Sequence, residues 1–127
     1  MAEITQEALL IKGFIDSEWG HLFNTNLEVR LNALFPEPTN RGLKHIWSYG
    51  TADIVITKGI TPIAIIEPGG DHHWESRQRL NDRRKWKLAE LNNVNCIHIM
   101  NGVVGNISKR QVRRMLGSIL FKKAGHL

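Results

Sequence analysis

Residues 61–100, "TPIAIIEPGGDHHWESRQRLNDRRKWKLAELNNVNCIHIM", decide the architecture. The short continuous apolar run at 62–66 suits a central strand covered on both faces. Residues 74–93 then read as a helix ended by its asparagines, and "VNCIHIM" at 94–100 reads as another apolar strand. A strand, a helix of this length and a second strand make a crossover unit, which is parallel and right-handed. The helix is not cleanly amphipathic. Leu80, Leu88 and Leu91 fall within about a quarter of the wheel, while Asp82, Lys85 and Ala89 cluster on another arc.

Upstream, "HIWSYGTADIVIT" at 45–57 is β-rich but interrupted by Gly50, so it is one bent strand or two. Residues 4–23 space their apolar side chains like a helix, with a break near Gly13. "TNLEVRLNALF" at 25–35 reads as a second helical piece, in which Thr25 and Glu28 have capping-box spacing and Pro36 follows the end. "PEPTNRGLKH" reads as a loop. Downstream, Ser108 and Gln111 form another capping box, opening a basic helix. The expected fold class is therefore α/β or α+β, a central mixed β-sheet flanked by helices. It is one domain over 1–127, with N-terminal helices at about 3–35, a core at about 45–100 and a C-terminal basic helix at about 108–123.

Composition sets the outer bounds. With 127 residues, 42% apolar and 23% charged, the chain has globular proportions and enough length for a modest core. The N-terminus lacks a basic segment followed by a long apolar stretch, and no run reaches membrane-spanning length. The single thiol, Cys96, cannot form an internal disulfide; it suits a reducing compartment and reads as a small core residue. The expected location is cytoplasmic, in a bacterium or a phage-infected host cell.

Seventeen Lys and Arg against twelve Asp and Glu give a net charge of +5. Arg77, Arg79, Arg83, Arg84, Lys85 and Lys87 lie in one stretch; Lys109, Arg110, Arg113, Arg114, Lys122 and Lys123 lie in another. Such clustering points to a polyphosphate partner, because each cation that neutralises a phosphate releases a counterion. The plainer reading is a pair of solvated helix faces.

Asp53 stands among apolar residues near the start of one strand, and Glu67 ends the next apolar run. If the two strands pair, both carboxylates reach one sheet edge. Two acidic oxygens with a carbonyl and waters suit Mg²⁺ or Mn²⁺, since Mg²⁺ takes few carboxylates and keeps much of its hydration. Alone, Asp53 is equally well explained by a turn or a cap. In "GGDHHW", Gly69 and Gly70 leave room for a bulky ligand, and one of His72 and His73 points inward as base, acid or metal ligand. The plainer reading of the doublet is a polar loop. A closed zinc site lacks the necessary Cys and His spacing. Trp47, Trp74 and Trp86 read first as core or rim residues, with Trp74 placed to stack on a base.

Taken in order, "ADIVI … IAIIEPGGDHHW … RLNDRRKWKLAELNNVNCIHI" resembles the PD-(D/E)XK nuclease superfamily, of restriction-endonuclease-like fold. It is most similar to the branch of very-short-patch-repair endonucleases and EDxHD-type relatives. The resemblance covers residues 50 to 100, and extends to 25 if Glu28 is the glutamate of the N-terminal helix in that pattern. It implies a Mg²⁺- or Mn²⁺-dependent endonuclease acting on DNA, with RNA as the other nucleic acid to consider. Asp53 would be a metal ligand and Glu67 the second acidic position. His72 or His73 would match the histidine, Asp82 the helical acid, and Glu28 would organise metal or water. Arg77, Arg79, Arg83, Arg84 and Lys87 would hold phosphates near the cut, and Lys109, Arg110, Arg113 and Arg114 would extend the track. The chain departs from the pattern at Gly69, where the E-x-K lysine would stand. A histidine takes over its work, or Lys85 reaches in from the helix, or the chain binds without cutting. With little room for a specificity domain, a homodimer or a larger complex is expected, and no membrane.

Overall fold

The computed structural model describes residues 6–69, 76–100, 113, 114 and 117. Helix α1 (Gln6–Trp19) leads into strand β1 (Asn24–Arg30) and the one-turn helix α2 (Leu31–Leu34). Helix α3 (Arg41–Tyr49) precedes strands β2 (Thr51–Lys58) and β3 (Thr61–Gly69). Helix α4 (Ser76–Leu91) then crosses to strand β4 (Asn95–Met100). The strands form one four-stranded mixed sheet in the order β1-β2-β3-β4. β1, β2 and β3 are antiparallel, and β4 lies parallel to β3, as the crossover reading requires. The fold class is α+β.

Strand periodicity explains why the apolar runs of β2 and β3 are nearly continuous. Ile54, Ile56, Ala64 and Ile66 pack with Ile11, Ile15 and Trp19 of α1. Val55 and Ile65 pack with Leu43 and Ile46 of α3 and with Leu88 and Ala89 of α4. Alternate residues thus enter two separate cores, and neither face of the central strands meets water. Gly59 opens the two-residue turn between β2 and β3 with φ at 63°, the left-handed conformation that the primed hairpin turns need.

Four expectations are corrected. Residues 25–35 are not a helix: 24–30 pair with β2 and only 31–34 are helical. Cross-strand pairing outweighs the local capping pattern here, and Thr25 is buried against the sheet instead of capping. Residues 41–49, expected as loop and strand, form α3. The Asn40 side chain accepts a hydrogen bond from Gly42 N at 2.8 Å, and Leu43 and Ile46 supply a buried stripe at helical spacing. The β-strand starts only after Gly50. The break expected near Gly13 is absent, because α1 runs through that residue from Gln6 to Trp19. In α4, Leu80 and Leu91 are exposed, whereas Asp82, Leu88 and Ala89 are buried. The arc carrying Asp82, Lys85 and Ala89 is the inward one.

The C-terminus of α4 is closed by its asparagines as expected. Asn93 takes a left-handed φ of 59°, and Val94 N donates to Ala89 O at 2.9 Å, a Schellman closure. Arg113, Arg114 and Gly117 are helical, whereas the Ser108 and Gln111 capping pair lies outside the described residues. No helix among the described residues is long and apolar enough to cross a membrane.

Candidate functional site

The sheet register places the acidic residues in a row. Ile54 faces Ile66 across β2 and β3, and the same register continued by one residue sets Asp53 opposite Glu67. On the other side of β2, Leu27 faces Ile54 and Val29 faces Ala52, which leaves Glu28 at the level of Asp53. Glu67 itself pairs with His98 of β4 through the backbone. Glu28, Asp53 and Glu67 thus mark one line across three neighbouring strands, at the end where α4 begins. Glu28 was expected on a helix. It lies instead in β1 with φ at 53°, and pairing is interrupted at that residue alone. A non-glycine residue in this region costs on the order of 1 kcal/mol, which the surrounding strand pairs must offset.

Glu67 is the centre of the arrangement, only 3% exposed. One carboxylate oxygen, Oε1, receives Lys85 Nζ at 2.9 Å, and the other, Oε2, accepts from Asp53 N at 3.2 Å. Burial pushes its carboxyl up to about 8; Lys85 opposes this, while the Asp53 charge and a hydrogen bond to the Asp53 side chain add to it. For the Lys85 ammonium, burial pulls the pKa down, but Glu67 first and then Asp53 and Asp82 outweigh burial and raise it. Lys85 therefore remains a cation at neutral pH. Glu28 is raised by partial burial and then by Asp53, against the pull of Lys85. Asp82, 8% exposed, sits one turn before Lys85 on the same inward arc.

The structure thus brings Glu28, Asp53, Glu67, Asp82 and Lys85 into one electrostatic group. His72 and His73 lie outside the described residues, as do Lys109, Arg110 and Trp74. Arg77 and Arg79 fall on the first turn of α4. Arg83 and Lys87 are exposed on that helix, and Arg84 is half-buried. Arg114 is exposed, but Arg113 is engaged: its Nη2 and Nε meet Glu18 Oε1 and Oε2 at 2.7 and 3.1 Å. That bidentate pair ties the C-terminal basic segment to α1 and occupies a guanidinium expected on the phosphate track. Trp47 is a packing residue, its Nε1 donating to Phe35 O at 2.9 Å, whereas Trp86 is exposed beside Cys96.

Among the described residues, no three His, Cys, Asp or Glu side chains stand together as a ready metal cage. The donor chemistry nevertheless suits a Mg²⁺-type ion, which takes one or two carboxylates and otherwise keeps water. A buried carboxyl driven towards protonation, beside a second carboxylate, is a place where a divalent cation lowers the electrostatic cost. A separate cleft of about 430 Å³ lies at the far end of β1 and β2, lined by Lys12, Asp16, Asn24, Thr25 and Thr57, and it includes none of these acids.

One functional-looking element is absent from the sequence reading altogether. α3 carries Arg41, Lys44, His45 and Tyr49 on its exposed side, and its C-terminal end leads through Gly50 into β2, the strand of Asp53. The signal was the spacing of Leu43, Ile46 and Trp47, masked by the Pro- and Gly-rich residues just before them. Comparison with known proteins finds no matching family model, no matching curated protein and no matching solved structure.

Proposed function

We propose that the chain is a metal-dependent DNA endonuclease with a restriction-endonuclease-like core. The observation that carries this reading is the ion pair of Lys85 with buried Glu67, set beside Asp53 at the end of two paired strands. An antiparallel β1-β2-β3 meander followed by α4 and a parallel β4 supports the same reading. In this reading Lys85 of α4, whose Nζ meets Glu67 Oε1, takes the part of the lysine that the E-x-K pattern would place at Gly69.

Asp53 and Glu67 are the residues that would hold the ion, and Glu28 would help organise metal or water. When bound, Mg²⁺ or Mn²⁺ supplies Lewis-acid stabilisation of charge on the phosphate and acidifies water. Hydrolysis joins the oxygen of one water to phosphorus and breaks the bond to a sugar oxygen, which takes up a proton. Lys85, held as a cation, stabilises the charge on the phosphate oxygens in the transition state and is a proton donor, not the base. His72 or His73 is proposed to accept the proton of the attacking water. Glu67, and then Asp53 and Asp82, keep Lys85 charged. Arg83, Arg84 and Lys87 position the nucleic-acid backbone without reading bases.

The test is cleavage of supercoiled plasmid with Mg²⁺ or Mn²⁺, wild type against Asp53→Ala. Loss of cutting with retained binding supports the reading. Cleavage that survives the substitution removes Asp53 from the chemistry. If wild type binds DNA but never cuts, the second reading holds: a catalytically silent nucleic-acid-binding module with the same core.

A further inference from the structure

The outer face of α3 combines exposed cations with an exposed aromatic ring. The helix sequence "RGLKHIWSY" contains no acid, and its buried side is Leu43 and Ile46. Its solvent side presents Arg41, Lys44, His45 and Tyr49 at spacings of three and four, so that all four stand on one face. Tyr49 is 72% exposed, unusual for a large aromatic ring that could have turned inward. It is not loose: the His45 ring lies against it with centroids 4.9 Å apart, tilted by 47°. Lys44 reaches Glu37 only at 3.9 Å, between two exposed side chains, a contact too weak to commit its charge.

The position of this face matters as much as its composition. The C-terminal end of α3 is fastened to the start of the acidic row. Ser48 O accepts from Arg30 Nη2 at 3.1 Å and from Asn32 Nδ2 at 3.5 Å, and Leu31 N donates to Gly50 O at 3.0 Å. Arg30 is two residues beyond Glu28 in β1 and pairs with Thr51, two before Asp53. Tyr49 and Asp53 are separated by four residues of mostly extended chain, hence by no more than about 13 Å.

We propose that the outer face of α3 grips a single-stranded stretch of nucleic acid next to the acidic site. Arg41 and Lys44 contact phosphates, and Tyr49, supported by His45, stacks on an unpaired base. This rests on the nuclease reading for what happens next door, but not for the binding itself. The Tyr49 ring, backed by His45 and 72% exposed, offers a flat π-face on which a base can stack, and a stacked duplex hides its bases. The occupant is therefore a strand with splayed bases. Charge complementarity excludes an acid-poor, apolar partner for the same face. The consequence for substrate choice is a preference for frayed, flapped or gapped DNA over intact duplex.

The experiment uses the full chain carrying Asp53→Ala, without divalent ions, so that nothing is cut. A fluorescent single-stranded oligonucleotide of about 15 nucleotides, long enough for typical single-strand site sizes, is titrated by anisotropy, with the same-sequence duplex and the RNA version alongside. Tyr49→Ala is expected to weaken single-strand binding about 5- to 150-fold, the range for one lost stacked base. Its salt dependence should stay that of the parent, and Tyr49→Phe should bind like the parent. Arg41→Ala and Lys44→Ala should each lower the salt slope by about 0.7. Parental affinity in Tyr49→Ala, or equal losses in the Phe and Ala variants, overturns the grip. So does a complete lack of oligonucleotide binding, which would assign the face to a protein partner. If the grip holds while the wild-type chain cuts nothing, only the nuclease reading falls.

Discussion

Replacing Lys85 by methionine separates the electrostatics of the site from its packing, because the side chain keeps its length and loses its charge. Among the described residues, Lys85 Nζ is the charged donor that meets Glu67, at 2.9 Å, and the Glu67 side chain is 3% exposed. Without it the carboxyl keeps its contacts with Asp53 and loses its cation, so the protonated form is favoured further still. The sign follows from Glu67 lying at about 8 in the folded chain against an ordinary 4.5. A raised acid contributes stability that is complete below its unfolded value and declines as pH rises towards its folded value. Both proteins share that decline. Above about pH 8 they part: wild-type Glu67 ionises against Lys85, while the variant must either ionise unpaired or stay protonated. The penalty then grows by about 1.4 kcal/mol per pH unit, to roughly 3 kcal/mol by pH 10. Urea denaturation of both proteins in EDTA at pH 6, 8 and 10 measures it. The expected result is a small difference at pH 6 that widens above pH 8. A difference of equal size at every pH would refute the electrostatic account and reduce Lys85 to a packing residue. In cleavage assays the same variant should be inactive at pH 7, where its stability is nearly that of wild type.

Three further outcomes follow from particular contacts. Thr25 is buried and its Oγ1 has no hydrogen-bond partner among the described residues, so Thr25→Val should stabilise the fold by about 1 kcal/mol in thermal or urea unfolding; a loss of stability would mean that the hydroxyl has a role of its own. Gly50→Ala should cost about 2 kcal/mol or more, because the new Cβ would lie 2.5 Å from Ile46 O and 2.8 Å from Leu31 Cδ1; an unchanged melting temperature would show that the α3–β2 joint can open. Burial, and next the charge of Glu67, push the Cys96 thiol up to about 12, so it should react with Ellman's reagent at pH 7.5 only as the chain unfolds; prompt labelling of the native protein would contradict its setting.

The β3-α4-β4 unit was readable because β3 is buried on two faces, which forces a continuous apolar run, and because Asn92 and Asn93 punctuate the helix. The N-terminal third was not. "TNLEVRL" carries the residue types of a capped helix, and only the presence of β2 alongside converts it to a strand. Pairing partners are distant in sequence, so no local window contains that information. α3 was hidden for the opposite reason. Its signal is local, but it is short and follows two prolines. Of the site, Asp53 and Glu67 were legible as acids at strand ends. Lys85 stood out only as an odd member of an arc with Asp82 and Ala89, and that arc looked like a flaw in amphipathicity. It is polar because it faces a buried carboxylate, so the irregularity was itself the mark of the site.

The left-handed backbone at Glu28 sets two demands against each other. Glycine or asparagine would occupy that conformation at lower cost, yet either would delete an acid from the row. Variants chosen for heat resistance alone should therefore drift away from glutamate at position 28. Variants chosen for turnover should hold it and accept a softer β1, making this one residue a readout of which pressure has shaped a given population.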